Sequence, residues 1–228
     1  PAITRFLDES RMPISLKFYR DQFLNTGESS SPLPAAHRLI YIRYGSVIAN
    51  GATLTQDQFA YHYDPLSLQG EAELSEIWRW ELSAPNETPQ LLSGTDTLSL
   101  PKLARVITTL EAEPRTNWLF RFDSVTSAAG RITPRHRHRG PGIRCLYQGI
   151  FNVQGESDST GTLAPGDAWW ESGKETLVAW HSKQMPAISL RGLLLPTDIK
   201  GEMSNIWEGD ISSPRSNWRI FVDQEITI

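Results

Sequence analysis

The sequence predicts an all-β protein built as two successive barrels, and three observations carry that reading. Short segments rich in β-branched and aromatic residues recur along the chain, separated by Gly, Pro and Asn turns. The two halves of the chain repeat each other weakly but in the same order. Only one segment, Leu100–Leu110, has apolar residues at helical spacing.

Taken in order, Leu39–Val47 (LIYIRYGSV) reads as a strand running toward Asn50-Gly51, a strong turn pair. Ile77–Leu82 (IWRWEL), Trp118–Asp123 (WLFRFD) and Trp218–Asp223 (WRIFVD) alternate apolar and polar residues. Ile143–Val153 and Ile188–Leu195 complete the set. Leu100–Leu110 (LPKLARVITTL) is expected to form one short connecting helix, with Pro101 near its start, where proline is tolerated. Ser83–Ser99 and Glu28–Pro34 read as irregular. The expected domains are an N-terminal arm (1–34), a first barrel (35–97), a linker helix (98–114), a second barrel (115–200) and a C-terminal extension strand (201–228). Leu16–Asp21 and Trp218–Asp223 are expected as added strands that can cross between barrels or subunits.

The repeat aligns IYIRYGSVIANG with LYQGIFNVQG, TLTQDQFAYHYD with TLAPGDAWWESG, and EIWRWELS with ISLRGLLLP. Gly45 then matches Gly149, Leu54 matches Leu163, Tyr61 matches Trp170, His62 matches Glu171, and Arg79 matches Arg191.

Composition bounds the function. The chain has 228 residues, 39% hydrophobic and 21% charged, with a net charge of −4 and no long basic run, which argues against a nucleic-acid partner. No apolar run approaches the roughly 18 residues of a membrane span. Cys145 is the only cysteine, so no disulfide can form within the chain. Pro1-Ala2-Ile3-Thr4 lacks the charged and apolar regions of a secretory signal, and a cytoplasmic, soluble protein is expected. There is no G-x-S-x-G elbow, phosphate loop or G-x-G-x-x-G.

The sharpest local feature is Arg135–Gly149, RHRHRGPGIRCLYQG. On a strand, His136 and His138 face the same side, so both imidazoles can turn into a barrel and share one cation. The competing reading is a solvated basic edge with Arg131, Arg135, Arg137 and Arg139. Counting by twos from Gly142 puts Arg144 on the inner face, where it needs a partner: a glutamate in a structural ion pair, or a ligand carboxylate. Trp169 and Trp170 must face opposite sides, so at most one lines a cavity. Cys145 reads as a small buried hydrophobe.

The His pair, the Gly-Pro-Gly turn, the strand ending in Gly149 and the later Leu163-Ala164-Pro165-Gly166-Asp167 resemble the two signature motifs of the cupin superfamily. The resemblance covers about 130–196 well and 37–83 more loosely, through the repeat. It implies two tandem double-stranded β-helix (jelly-roll) barrels, a bicupin whose first barrel has lost its site, since His37 and His62 stand there without an HxH. It carries over two metal ligands, His136 and His138. The family's first-motif Glu is Gly142 here, and its second-motif His is Glu175, Thr176 or Leu177. Glu171 or Glu175 can replace a missing ligand, with Gln148 and His181 as further candidates. Such a set suits Fe²⁺, Mn²⁺, Ni²⁺ or Zn²⁺.

The resemblance thus implies a metal-dependent enzyme acting on a small anionic or ring-bearing molecule, by oxygenation, isomerisation, lyase or decarboxylation chemistry. In that reading Glu171 or Glu175 is the acid/base, Arg144 orients the anion, and Trp170 and Gln148 contact the ligand. The rival readings are a non-catalytic small-molecule-binding or sensor protein and a structural protein with decayed sites. A homodimer is the family-level expectation, with Trp78 and Trp80 as interface material.

Overall fold

In β2 (Arg38–Tyr44), Leu39 and Tyr41 join one apolar cluster while Ile40 and Ile42 join another, so the strand has no solvent face. That two-sided burial recurs and organises the whole molecule. The computed structural model describes residues 13–108, 117–155, 161–209 and 216–228. It is almost entirely antiparallel strand, as the sequence predicts.

The first barrel pairs two sheets. One runs β5 (Phe59–His62), β2, β7 (Ser75–Ser83), β1 (Ile14–Phe23) and β8 (Thr97–Ile107); the other runs β4 (Ala52–Thr55), β3 (Ser46–Ala49) and β6 (Leu68–Gly70). The second barrel pairs the sheet β14 (Ala168–Glu171), β11 (Gly142–Gln148), β16 (Ala187–Pro196), β9 (Asn117–Ser127), β18 (Asn217–Thr227) with the sheet β13 (Gly161–Leu163), β12 (Phe151–Gln154), β15 (Leu177–His181), β10 (Ile132–His138), β17 (Asn205–Trp207). The two five-stranded orders 5-2-7-1-8 and 14-11-16-9-18 are the same topology, the structural form of the repeat. Irregularities repeat too. The β2–β7 register slips between Ile42 and Tyr44, and the β11–β16 register between Leu146 and Gln148. Gly45 and Gly149 follow at φ 77° and 95°, where a side chain is strained.

The two large sheets pack face to face. Leu16, Phe18, Tyr41, Trp78 and Trp80 from one meet Phe120, Phe122, Ile143, Cys145 and Leu190 from the other. Trp80 donates its indole N–H to the Ile143 carbonyl at 3.0 Å, and Gly192 leaves the space its ring fills. Each large apolar side chain buried here contributes roughly 1.5–3 kcal/mol. Trp78 and Trp80 are therefore consumed between the barrels, which removes the ground on which they were expected at a dimer face.

Three expectations are corrected. The linker helix is absent over its described part, since Thr97–Ile107 is the edge strand β8. A bulge at Lys102, where Phe18 pairs Leu103 but Tyr19 pairs Pro101, shifts the strand's phase by one residue. Leu100, Leu103 and Ile107 thereby share one face at a spacing that imitates a helix, and Pro101 is accommodated at an edge bulge. Leu110 and the end of that expected helix lie outside the described residues. Second, β1 and β18 do not cross between barrels. β1 sits inside the first sheet between β7 and β8, and β18 pairs β9 at the edge of its own sheet. Third, the barrel boundaries move outward, because β1 from the expected arm, and β17 and β18 from the expected extension, are integral strands.

Candidate functional site

β10 brings His136 and His138 inward. The strand pairs β15 on one side (His136 opposite Leu177) and β17 on the other (His136 opposite Trp207, His138 opposite Asn205). Both imidazoles are buried and line a cavity of about 70 Å³ in the second barrel. Their ring centroids lie 5.1 Å apart at 82°. The basic run is not a uniformly solvated edge: Arg135 and Arg139 turn outward to Glu208 and Asp198, while the histidines between them turn inward.

The neighbours of the histidines set their state. His136 Nδ1 lies 2.8 Å from the Pro134 carbonyl, an acceptor only, so Nδ1 carries the proton and donates while Nε2 keeps its lone pair. His138 Nδ1 lies 3.1 Å from Ser204 Oγ and its Nε2 lies 3.0 Å from Glu171 Oε2. Burial lowers both imidazole pKa values, that of His138 to about 3, so both rings are neutral at pH 7.

Glu171 is the hub. It ends β14 opposite Gly142, and the missing side chain of Gly142 leaves room on the inner face. A Cβ on Gly142 would meet Leu193 Cδ2 at 2.4 Å and the Gly192 carbonyl at 2.6 Å. Trp169 Nε1 donates to Glu171 Oε1 at 2.8 Å. Glu171 Oε2 lies 2.8 Å from Arg144 Nη2, yet neither atom makes a well-directed hydrogen bond. Arg144 also donates Nη1 to the Gly142 carbonyl at 2.7 Å. Burial pushes the Glu171 carboxyl up, but Arg144 and then His138 outweigh it and hold it well below the usual carboxylate range. Burial lowers the Arg144 pKa to about 10, with Glu171 opposing the shift, so it remains a cation.

The other expected residues fall less uniformly. His181 lines the same cavity against Phe151, with ring centroids 4.9 Å apart, and burial lowers its pKa to about 4. Trp170 does not line the cavity. Strand alternation gives that place to Trp169, and Trp170 packs toward the inter-barrel core. Gln148 is likewise outside: the slip after Leu146 sets Gln148 opposite Ile188, whereas the inward Leu146 sits opposite Ser189. Glu175 stays in the turn between β14 and β15, its N–H 3.4 Å from Ser172 Oγ, and does not line the cavity. Cys145 is fully buried on the opposite face of β11, and burial raises its thiol pKa.

Sequence reasoning missed the wall supplied by Met203, Asn205 and Trp207, because they lie in a stretch read as an extension. It also missed the support beneath Arg144. Arg191 pairs Asp123 through two bonds of 2.6 and 2.7 Å, and Trp218 donates to Asp123 at 3.2 Å. The repeat match of Arg79 with Arg191 was the available signal, and Arg79 pairs Asp21 at 2.7 Å in the first barrel. Among the described residues the first barrel has no counterpart of β10. Ser29 and Leu33, in the irregular stretch, bridge Gln69 and Leu66 there instead.

The donor set suits a divalent ion in part of its geometry. Ligands at right angles on bonds of 2.0–2.2 Å stand about 3 Å apart. That is the His138 Nε2 to Glu171 Oε2 separation, and Glu171 Oε2 is buried without a hydrogen bond. Among the described residues no three His, Cys, Asp or Glu side chains are grouped so as to hold a metal ion, and only the His138–Glu171 pair meets that spacing.

No protein-family model and no curated protein matches the sequence. Solved structures do match the fold. An oxalate decarboxylase of Bacillus subtilis, described with Mn(II) centres, superposes with TM-score 0.57 at 10% identity, over 84% of this chain and 71% of that one. The oxalate decarboxylase of Lactobacillus farciminis, in a formate complex, gives TM-score 0.55 at 13% identity over 84% and 79%. A putative glyoxylate-induced protein of Pseudomonas aeruginosa gives 0.51 at 12% over 78% and 73%.

Proposed function

Since this chain has the fold of a two-barrel cupin, we propose that its second barrel is a metal-dependent site acting on a small anionic molecule. The observation that carries the reading is Glu171 Oε2, a buried, ionised oxygen that lies 3.0 Å from the neutral His138 imidazole and whose contact with Arg144 at 2.8 Å is not a well-directed hydrogen bond. His136, His138 and Glu171 would hold the ion. Bound there, a divalent transition metal supplies a Lewis acid or redox centre.

The rest falls to the chain. His136 keeps its Nε2 lone pair toward the cavity because Pro134 fixes the tautomer. Ser204 Oγ can accept from His138 Nδ1, which frees Nε2 in the same way. Arg144 remains cationic beside the cavity and orients the anionic end of the ligand once Glu171 turns to the ion. Trp169, Phe151 and Trp207 contribute apolar walls. The cavity, about 70 Å³, is small, which favours a small ligand. Oxygenation, isomerisation and lyase or decarboxylation chemistry are all compatible with this arrangement.

A second reading rests on Arg144. Its guanidinium already compensates Glu171 at 2.8 Å, which suits a metal-free binding or sensor site. Titration of Mn²⁺ into chelator-treated protein separates the two. The metal reading expects saturable binding weakened at least ~10-fold by Glu171→Gln. No Mn²⁺ binding, with small carboxylic acids bound to metal-free protein and lost in Arg144→Leu, would replace it with the second.

A further inference from the structure

The inner face of the first barrel carries a row of ionisable side chains that the reading above leaves unused. Lys17 on β1 lies opposite Glu81 on β7, Glu81 opposite Arg38 on β2, and Arg38 opposite His62 on β5. Directly opposed residues project from the same side of a sheet. Lys17 is buried, and Arg38 and Glu81 are completely so.

Most of these groups are satisfied. Glu81 Oε2 accepts from Arg38 Nε at 2.6 Å and from Arg79 Nη1 at 2.8 Å. Arg79 also donates to Asp21 at 2.7 Å and to the Gln90 carbonyl at 2.8 Å, and Lys17 Nζ donates to the Glu87 carbonyl at 2.7 Å. The remainder is specific. Arg38 Nη1, Arg38 Nη2, Glu81 Oε1 and His62 Nε2 are buried and have no hydrogen-bond partner. Buried polar atoms are partnered in folded proteins, by water or by a ligand where the protein supplies nothing.

Charge selects between those occupants. Lys17, Arg38 and Arg79 share this interior with the carboxylates Asp21 and Glu81, which leaves one positive charge uncompensated. The free edge of Arg38 is the planar Nη1/Nη2 pair, the geometry that grips a carboxylate through two parallel bonds. Position supports the same choice. Arg38 stands seven residues before Gly45, as Gly142 stands before Gly149, and His62 stands where the second barrel has Glu171. At this level the second barrel has Glu171 facing a glycine, and the first has Arg38 facing a histidine.

We propose that the first barrel is a second binding site, specific for a small carboxylate held by Arg38 Nη1 and Nη2 beside His62. The segment 84–91 is tied to the same interior, through Lys17 at the Glu87 carbonyl and Arg79 at the Gln90 carbonyl.

Carbon-13 NMR of the full chain with [1-¹³C]acetate tests this site separately from the second barrel. A bound resonance is expected for the wild type and for His136→Ala/His138→Ala, with at least tenfold weaker binding in Arg38→Met. Acetate-soaked wild-type crystals, at a resolution that separates acetate from water, decide the matter even if Arg38→Met does not fold. A trigonal density on the Arg38 fork supports the proposal. Waters alone there, or a resonance that only the double histidine variant abolishes, overturn it.

Discussion

His138 and His181 are uncharged in the folded chain because burial disfavours their cations, with pKa values of about 3 and about 4. An unfolded chain takes up those protons near pH 6.5. The unfolded state therefore binds more protons between pH 6.5 and those folded values, and stability falls as pH drops through that window. The loss is at most about 1.4 kcal/mol per pH unit for each histidine. Glu171 overlaps the lower end of that window: its depressed pKa contributes stability that is complete above about pH 4.5 and lost on further acidification. Urea midpoints of chelator-treated protein are expected to fall steadily from pH 7 to pH 5. A flat profile over that range would contradict neutral buried histidines. At this scale the sequence carried much of the site. Strand alternation set His136, His138 and Arg144 on one inner face. It named Trp170 where Trp169 lines the cavity, since alternation alone leaves the two open, and it misplaced Gln148, because one bulge after Leu146 inverts the residues beyond it.

Gly192 shows how closely elements of the two barrels approach. A Cβ built there would stand 2.4 Å from Trp80 Cδ1, and the ring cannot retreat because its N–H is bonded to Ile143. Gly192→Ala is expected to destabilise the protein by about 1–3 kcal/mol through overpacking, read from the urea midpoint at unchanged slope. Trp80→Phe in the same background should recover part of the loss. A neutral Gly192→Ala would contradict the packing described. Most strands were legible from alternation and turn residues. β8 was not, since its bulge at Lys102 reproduced helical spacing on a strand. β17 was not, since three residues among polar turns carry too little pattern to register.

At the scale of the whole molecule, the apolar cluster between the sheets draws on both barrels about equally. Neither half can keep its large sheet dry without the other. Calorimetry is expected to show one transition, with van't Hoff and calorimetric enthalpies equal. Two resolved transitions would mean that the barrels are independent domains. The duplication was visible in sequence through Gly45 with Gly149 and Arg79 with Arg191. The face-to-face packing was not, because a strand buried on both sides gives no sign of which neighbour covers each side. The central claim is that His136 and His138, with Glu171, hold one divalent ion. Elemental mass spectrometry of purified, tag-free protein, beside His136→Ala/His138→Ala, tests it most directly. Near-stoichiometric metal in the wild type and none in the variant is the expected result. No metal in either, even after incubation with Fe²⁺, Mn²⁺, Ni²⁺ and Zn²⁺, would contradict it.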